Sequence, residues 1–445
     1  MQNRTNFATK LGVILATVGS SVGLGNIWRF PFEAGRNGGS AFILIYVGCV
    51  LLLGIPCILA EFLVGRRSHA NPVEAFGKLA PRTPWYLVGL MGIFTGFCIN
   101  GFYCVVTGWT FSYFLTSLRG SFFEDGTDYS RFFTEFSTGT WQPILWAVLA
   151  MLAVHWVVSR GVRKGIEMSG RILMPVLFLL LLVLGVRGLF MPGAAEGLRF
   201  LFMPDFSGVT ATTVLSALGQ AFFSLSVGMG ALLTYSSYFS DEVSLEKTAY
   251  QVAGLDTLVA ILAGIVVFPA VFSFGIQPSA GPGLVFVTMP EVFAGMPLSN
   301  LWSSLFYLLL AIAALTSSVS LHEAVVAFIS EHFELSRRKA SLFVLMIVVC
   351  MGALCSLSIG VLGKYTLGGR NFFDMLDFLT SAFLLPFGGL LTTLFVGWKL
   401  GPASLQEELS SHGRYRVRLI KVYLFLIRFV APICILAIFL FNLLM

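Results

Sequence analysis

The chain has 445 residues, of which 57% are hydrophobic and only 11% charged, and it carries a net charge of +6. Soluble globular proteins hold about 25% charged residues, so this composition excludes a soluble domain and indicates a polytopic membrane protein. The positive excess then reads as membrane topology, not as a nucleic-acid footprint.

At ~20 apolar residues per crossing, the sequence predicts eleven spans. They lie near residues 8–33, 40–65, 86–117, 140–158, 167–189, 211–239, 247–274, 300–330, 339–361, 372–398 and 418–443. The segment before the first span is too short and polar for a cleaved leader, so that span is expected to be retained. Alternate connections differ in charge. One set holds 18 Lys and Arg, among them Arg66, Arg67, Arg163, Lys164, Arg337, Arg338 and Lys339; the other holds 7. Positive loops face the cytoplasm, which predicts a cytoplasmic N-terminus and, with an odd number of spans, an extracytoplasmic C-terminus. The connections 119–139, 190–208 and 275–299 are then extracytoplasmic, and His412 lies in the last cytoplasmic loop.

Span one is interrupted by Ser21-Val22-Gly23-Leu24-Gly25, and span six by Ser226-Val227-Gly228-Met229-Gly230. Glycine pairs unwind helices, and the exposed peptide groups are tolerated at membrane depth only beside protein or a polar cavity. Paired broken helices in corresponding halves point to a transporter binding site. Hydroxyls cluster at the same places: Ser20 and Ser21 at the first break, Ser224 and Ser226 at the second, and Thr316, Ser317 and Ser318 in span eight. A lone membrane Ser or Thr bonds its own helix, but clusters at two breaks offer an oxygen shell for a hard cation. N–H groups freed at a half-helix N-terminus suit a carboxylate.

Ionisable residues within spans are functional candidates by default. Glu61, Glu323 and Asp256 sit in apolar runs, and Arg29 follows the first break. Asp374 and Asp377 open span ten on the side of the membrane that holds Arg29, so an Arg29–Asp377 pair is either a gate or a static salt bridge. All seven cysteines lie in apolar runs, which predicts no structural disulfide and no cysteine metal site. His322 is expected to be a packed or solvated histidine. Gly23-x-Gly25 lacks the third glycine of a dinucleotide loop, and no Walker loop, zinc-protease motif or nucleophile elbow occurs. The chain has no enzyme signature.

The run from Gly19 to Pro31, followed by Asn37-Gly38-Gly39, resembles the first-helix signature of the neurotransmitter:sodium symporters. Further matches are Gly54-Ile55-Pro56 with Glu61, Tyr103 with Trp109, Gln220 to Ser226, Leu315 to Ser318, and Asp374 to Phe378. The resemblance implies an all-α membrane protein of the LeuT fold. It would have inverted five-helix repeats over 1–190 and 191–400, broken helices one and six, and a final segment 401–445 with a cytoplasmic loop and span eleven. Ending after eleven spans, where twelve are usual, and lacking the long second outer loop of animal relatives, the chain looks like a bacterial inner-membrane member. The implied activity is Na⁺-coupled import of neutral amino acids. A non-transporting sensor and a proton-coupled permease stand as alternatives.

Carried over by position, the resemblance implies a first Na⁺ site at Ser21, Asn26, Ser224 and Asp256. It implies a second at Gly19, Val22, Ala313, Thr316 and Ser317. The substrate carboxylate would meet Leu24, Gly25 and Tyr103, and its amino group Ser21, Phe223, Ser224 and Ser226. Ile99, Met229 and Leu321 would wall the side chain, with Ser20, Ser317 and Ser318 as polar neighbours. With no spare charge, such a pocket favours hydrophobic or aromatic L-amino acids. Arg29, Gln220 and Asp377 would form an outer gate, and Arg4, Tyr238 and Glu331, with Phe7 nearby, an inner one. Asp256 stands where many relatives have Asn and supplies a negative charge, so no chloride requirement is expected. Gly165-x₉-Pro175 matches a spacing that lets span five unwind at its cytoplasmic end, or is an ordinary proline kink. The expected partners are the amino acid and the lipid bilayer, with no nucleic acid; a monomer suffices.

Overall fold

The computed structural model describes residues 6–123, 126–275, 283–417 and 419–444. Among these, nine helices are long and apolar enough to cross a bilayer. A tenth crossing is the pair Lys10–Ser21 and Gly25–Arg36, bent by 51° at the predicted first break. The sixth predicted span is divided by its own break into Ala211–Ser224 and Ala231–Ser236, each too short to cross alone. The remaining spans are Ser40–Ser68, Tyr86–Arg119, Gln142–Ser159, Val162–Leu189, Leu245–Ser273, Ser299–His332, Arg337–Ile359, Phe372–Leu409 and Ile420–Ala437.

Two boundaries differ from expectation. Span ten continues to Leu409 instead of ending at 398, because Gly401 takes φ +78° and Pro402 opens a new helical turn, Gly401–Leu409. Proline suits a first helical turn, where its missing N–H costs nothing. The three connections rich in Phe, Gly and Pro also hold short helices, at Tyr129–Ser137, Ala194–Phe202 and Met289–Ala294.

Helices three and eight, each of 34 residues, form the centre. At ~1.5 Å per residue they exceed a bilayer core of about 30 Å, so both tilt or protrude. Close packing in lipid relies on small residues that let backbones approach. A Cβ at Gly108 of helix three would lie 2.5 Å from the Ala147 nitrogen of span four. At the second break, Gly228 takes φ +87° and a Cβ there would lie 2.3 Å from the Leu385 carbonyl oxygen. Only glycine satisfies both demands there.

The Gly165–Pro175 pair falls at the start of span five. Val162–Glu167 is a widened turn, and Pro175 lies inside Met168–Leu189. A Cβ at Gly165 would be 1.9 Å from the Val157 carbonyl oxygen, so this end is packed directly on span four.

The C-terminal end of span two is fixed by an arginine that is only 1% exposed. Arg66 donates Nε to Glu408 Oε2 (2.9 Å) and Nη1 to the Val243 carbonyl (2.8 Å) and Ser411 Oγ (3.1 Å). Its second terminal nitrogen bonds the Glu408 backbone carbonyl. Arg67 beside it pairs with the more exposed Glu407 at 2.7 Å. Removing one partner of a buried ion pair leaves the other charge uncompensated and costs about 3–5 kcal/mol, whereas exposed pairs contribute little. Arg66→Ala is therefore expected to lower the melting temperature of the detergent-solubilised protein by several degrees, and Glu407→Ala to leave it unchanged. Intrinsic-fluorescence melting curves of both variants check this contrast.

Candidate functional site

The first break frees peptide groups that the chain must satisfy by other means. Gly23 N–H donates to Asn26 Oδ1 (3.0 Å) and Leu24 N–H to the Tyr103 hydroxyl (3.1 Å). The Val22 carbonyl accepts from Ser317 Oγ (3.2 Å), and the Gly25 carbonyl from Gln220 Nε2 (2.8 Å). The second break is held likewise. Gly228 N–H donates to Glu61 Oε1 (2.6 Å), so this buried carboxylate of span two serves as a helix-break acceptor. Two bonds join the breaks directly: Ser226 Oγ donates to the Ser20 carbonyl (3.0 Å) and Ser21 Oγ to the Leu225 carbonyl (3.5 Å).

Beside this junction lies a buried polar centre. Asn26 Nδ2 donates to Ser224 Oγ (2.9 Å) and Asp256 Oδ1 (2.8 Å), and Ser224 Oγ donates to Asp256 Oδ2 (2.7 Å). The Tyr46 hydroxyl from span two stands 3.3 Å from both Ser224 Oγ and Asp256 Oδ2. Asp256, Asn26 and Tyr46 are fully buried and Ser224 nearly so. Three of the four residues expected at the first ion site thus meet in one network, and Ser21 adjoins it through Leu225. The Asn26 amide turns its nitrogen to the carboxylate and its oxygen to Gly23. A half-turn about its terminal torsion would present oxygen to a cation instead, and such amide orientations follow whichever partners are present.

Of the second predicted ion site, Ser317 touches Val22, while Thr316 Oγ1 donates back to the Ile312 (3.0 Å) and Ala313 (3.1 Å) carbonyls of its own helix. Gly19 lies one turn before Val22, packed towards Met174.

A cavity of about 30 Å³ adjoins both clusters. Ser20, Ser21, Gly25, Ile99, Tyr103, Phe223, Ser226, Met229, Ser317 and Leu321 all line it. Leu24, Ser224 and Ser318 do not: the first is held by Tyr103, the second is turned to Asp256, and the third lies 3.2 Å from Thr107 Oγ1. Gly23, expected from the sequence only as part of the break, lines it as well. A water needs roughly 10–15 Å³ of such space, so an amino acid requires the walls to part.

At the expected outer gate Arg29 lies 4.4 Å over the Phe223 ring. The expected Arg29–Asp377 contact is indirect. Arg29 donates to Ser381 Oγ (3.3 Å), which donates to Asp377 Oδ1 (3.0 Å). Ser381 is one helical turn beyond Asp377 and so reaches between the two charges. Gln220 is not part of this bridge, because the Gly25 carbonyl engages its amide.

Of the expected inner gate, Arg4 lies outside the described residues. The Tyr238 hydroxyl donates to Glu323 Oε1 (2.6 Å), whose other oxygen binds Arg337. Glu331 accepts from Asn71 Nδ2 (2.8 Å). Glu323 therefore has polar partners that its apolar sequence context did not indicate. Phe7 packs edge-on against Tyr235 and Tyr238. His322 is buried, with Nε2 3.1 Å from Ser341 Oγ, which also meets His155 Nδ1 at 2.8 Å.

Two interrupted membrane helices that bring a carboxylate, hydroxyls and an apolar cavity to mid-membrane define a secondary transporter. The profile of the sodium:neurotransmitter symporter family matches residues 4–125 and 129–445. The chain belongs to that family and is a sodium-dependent transporter. It is 39% identical over 442 residues to the uncharacterised sodium-dependent transporter YhdH of Bacillus subtilis, covering 99% of this chain and 98% of that one. To an uncharacterised sodium-dependent transporter of Haemophilus influenzae it is 34% identical, over 99% of each chain. Bovine sodium-dependent dopamine transporter is 25% identical over 92% of this chain and 65% of its own length. Among solved structures, the crystal structure of MhsT in complex with L-phenylalanine superposes with TM-score 0.92 at 45% identity, over 98% of this chain and 99% of that one. The fold is accordingly the LeuT fold.

Asp256→Asn keeps the shape of the polar centre and removes its charge. It is expected to weaken Na⁺ binding at least about tenfold, equivalent to ~1.4 kcal/mol, measured as the Na⁺ concentration needed for half-maximal thermal stabilisation.

Proposed function

We propose that this protein imports neutral L-amino acids with hydrophobic or aromatic side chains, coupled to two Na⁺ ions, by alternating access and without chloride. The observation that carries the proposal is the buried Asp256 network, set at the junction of both helix breaks and beside a cavity walled by Ile99, Met229 and Leu321. The likeness to MhsT, a protein solved with L-phenylalanine, supports an amino acid as cargo.

In this reading the first Na⁺ binds among Ser21, Asn26, Ser224, Asp256 and the substrate carboxylate. The second binds among Gly19, Val22, Ala313, Thr316 and Ser317. The carboxylate meets the N–H groups of Leu24 and Gly25 and the Tyr103 hydroxyl. Leu24 N–H and Tyr103 already bond one another, so that pair is poised to re-aim at an anion. The amino group meets oxygens of Ser21, Phe223, Ser224 and Ser226. Ion and substrate share ligands, so each strengthens binding of the other. Met229, between two glycines, adapts to varied apolar shapes. Arg29 and Asp377, joined through Ser381, close the outer side over Phe223. Arg4, Tyr238 and Glu331 belong to the inner side. The inverted repeats span 1–190 and 191–400, in a bacterial inner membrane with the N-terminus in the cytoplasm and the C-terminus outside.

A carboxylate at Asp256 offsets cation charge by several kcal/mol in a shielded site, as a bound anion would. Proteoliposomes with an inward Na⁺ gradient are expected to accumulate labelled L-phenylalanine. Replacing Na⁺ by choline abolishes uptake, and replacing chloride by gluconate at constant Na⁺ leaves it unchanged. Saturable binding without accumulation would identify a sensor instead, and a severalfold loss in gluconate would overturn chloride independence.

A further inference from the structure

Span five ends at an arginine that the transport scheme does not use. Arg187 lies two residues before the end of Val162–Leu189, and Trp302 lies in the first turn of Ser299–His332. Both therefore sit at the same membrane boundary, where Trp rings and Arg heads settle. The Arg187 guanidinium carbon stands 5.6 Å from the centroid of the Trp302 ring, within cation–π reach. Among the described residues the ion pairs leave Arg187 without a carboxylate within 4 Å.

These two side chains line an open groove of about 430 Å³ together with Leu182, Val183, Val186 and Phe190. Leu182 and Val186 are each 53% exposed and Phe190 80%, so the groove opens outward to the bilayer. One unpaired cation at the head of an otherwise apolar, membrane-facing groove fits an amphiphile with an anionic head and an aliphatic tail.

We propose that this groove binds an anionic phospholipid. Its phosphate meets Arg187, and an acyl chain lies along Leu182, Val183 and Val186. A guanidinium binds phosphate oxygens through two parallel N–H bonds, and the Trp302 ring holds it in place for that contact. A phosphatidylcholine headgroup fits less well, because its quaternary ammonium is repelled by Arg187 and competes for the Trp302 face that Arg187 already covers. Basic recesses between membrane helices recognise acidic lipid headgroups on the same grounds.

The test uses the full-length protein in phosphatidylcholine vesicles doped with brominated-acyl phosphatidylglycerol or brominated-acyl phosphatidylcholine. Bromine quenches adjacent indoles. The Trp302 contribution is isolated by subtracting the signal of Trp302→Phe, since the chain has eight tryptophans. Half-maximal quenching of Trp302 is expected at about fivefold lower content of the anionic lipid, the factor for one basic group near an anionic headgroup. Arg187→Gln is expected to abolish that preference and Arg187→Lys to keep part of it. Arg160→Gln, which removes an arginine stacked 3.5 Å over Trp156, is expected to leave it intact. Equal quenching of the parent protein by both lipids overturns the proposal, as does a preference that survives Arg187→Gln. If Arg187→Gln fails to fold, the parent-protein comparison alone still decides.

Discussion

A peptide group stripped of its helical partner inside a membrane must find another partner, and the architecture of this protein follows from that constraint. Breaking two helices at mid-membrane exposes N–H and C=O groups where no bulk water can reach them. Four of the exposed groups are answered by side chains from neighbouring helices, Tyr103, Ser317, Gln220 and Glu61. Those partners could not be supplied by a single helix pair. They require spans two, three, six and eight to converge on one level, and this convergence places the cavity there.

The same constraint explains why a carboxylate can be buried at Asp256. An ionised group in a low-dielectric interior is costly unless hydrogen-bonded or paired. Asn26, Ser224 and Tyr46 give Asp256 polar contacts on both oxygens, and two of these three residues also belong to the broken helices or their flanks. The network thus stabilises a negative charge in advance of any cation. Its donors can be traded for a metal ion at small reorganisation, since a hydroxyl and an amide each offer oxygen after rotation.

Much of this was legible in the sequence, and the exceptions have a common cause. Composition and apolar run length gave the membrane spans, and the glycine pairs gave both breaks. Ten of the thirteen residues expected around the substrate line one cavity, because a break forces its neighbours to face inward. What the sequence hid were partners chosen by tertiary packing. Tyr46 reads as one aromatic residue in an apolar run, and only its hydroxyl, which seeks a partner when buried, hinted at more. Ser381 is an ordinary helical serine until its position one turn from Asp377 sets it before Arg29. Glu323 and Glu61 were visible as buried charges, but nothing local named Tyr238, Arg337 or the Gly228 amide as what satisfies them. The extension of span ten past Gly401 was missed for a different reason: a Gly-Pro pair signals an end as readily as a restart, and hydropathy does not separate the two.

The distribution of bonds around the breaks also says which parts travel together. Spans one and six are tied to each other through Ser20–Ser226, Ser21–Leu225, Gly25–Gln220 and Asn26–Ser224. The unwound residues of span one meet the long central helices through two hydroxyl contacts, Leu24 with Tyr103 and Val22 with Ser317. These two contacts occupy the positions proposed for the substrate carboxylate and the second Na⁺. A motion of the broken pair against helices three and eight therefore stretches the contacts at the proposed binding positions while preserving those within the pair. Cargo that bridges the two groups replaces weak neutral hydrogen bonds with charge-assisted ones, which are roughly twice as strong. In the proposed transport cycle the same few atoms would couple occupancy to closure, since a ligand shifts a conformational equilibrium only through its differential affinity for the two states.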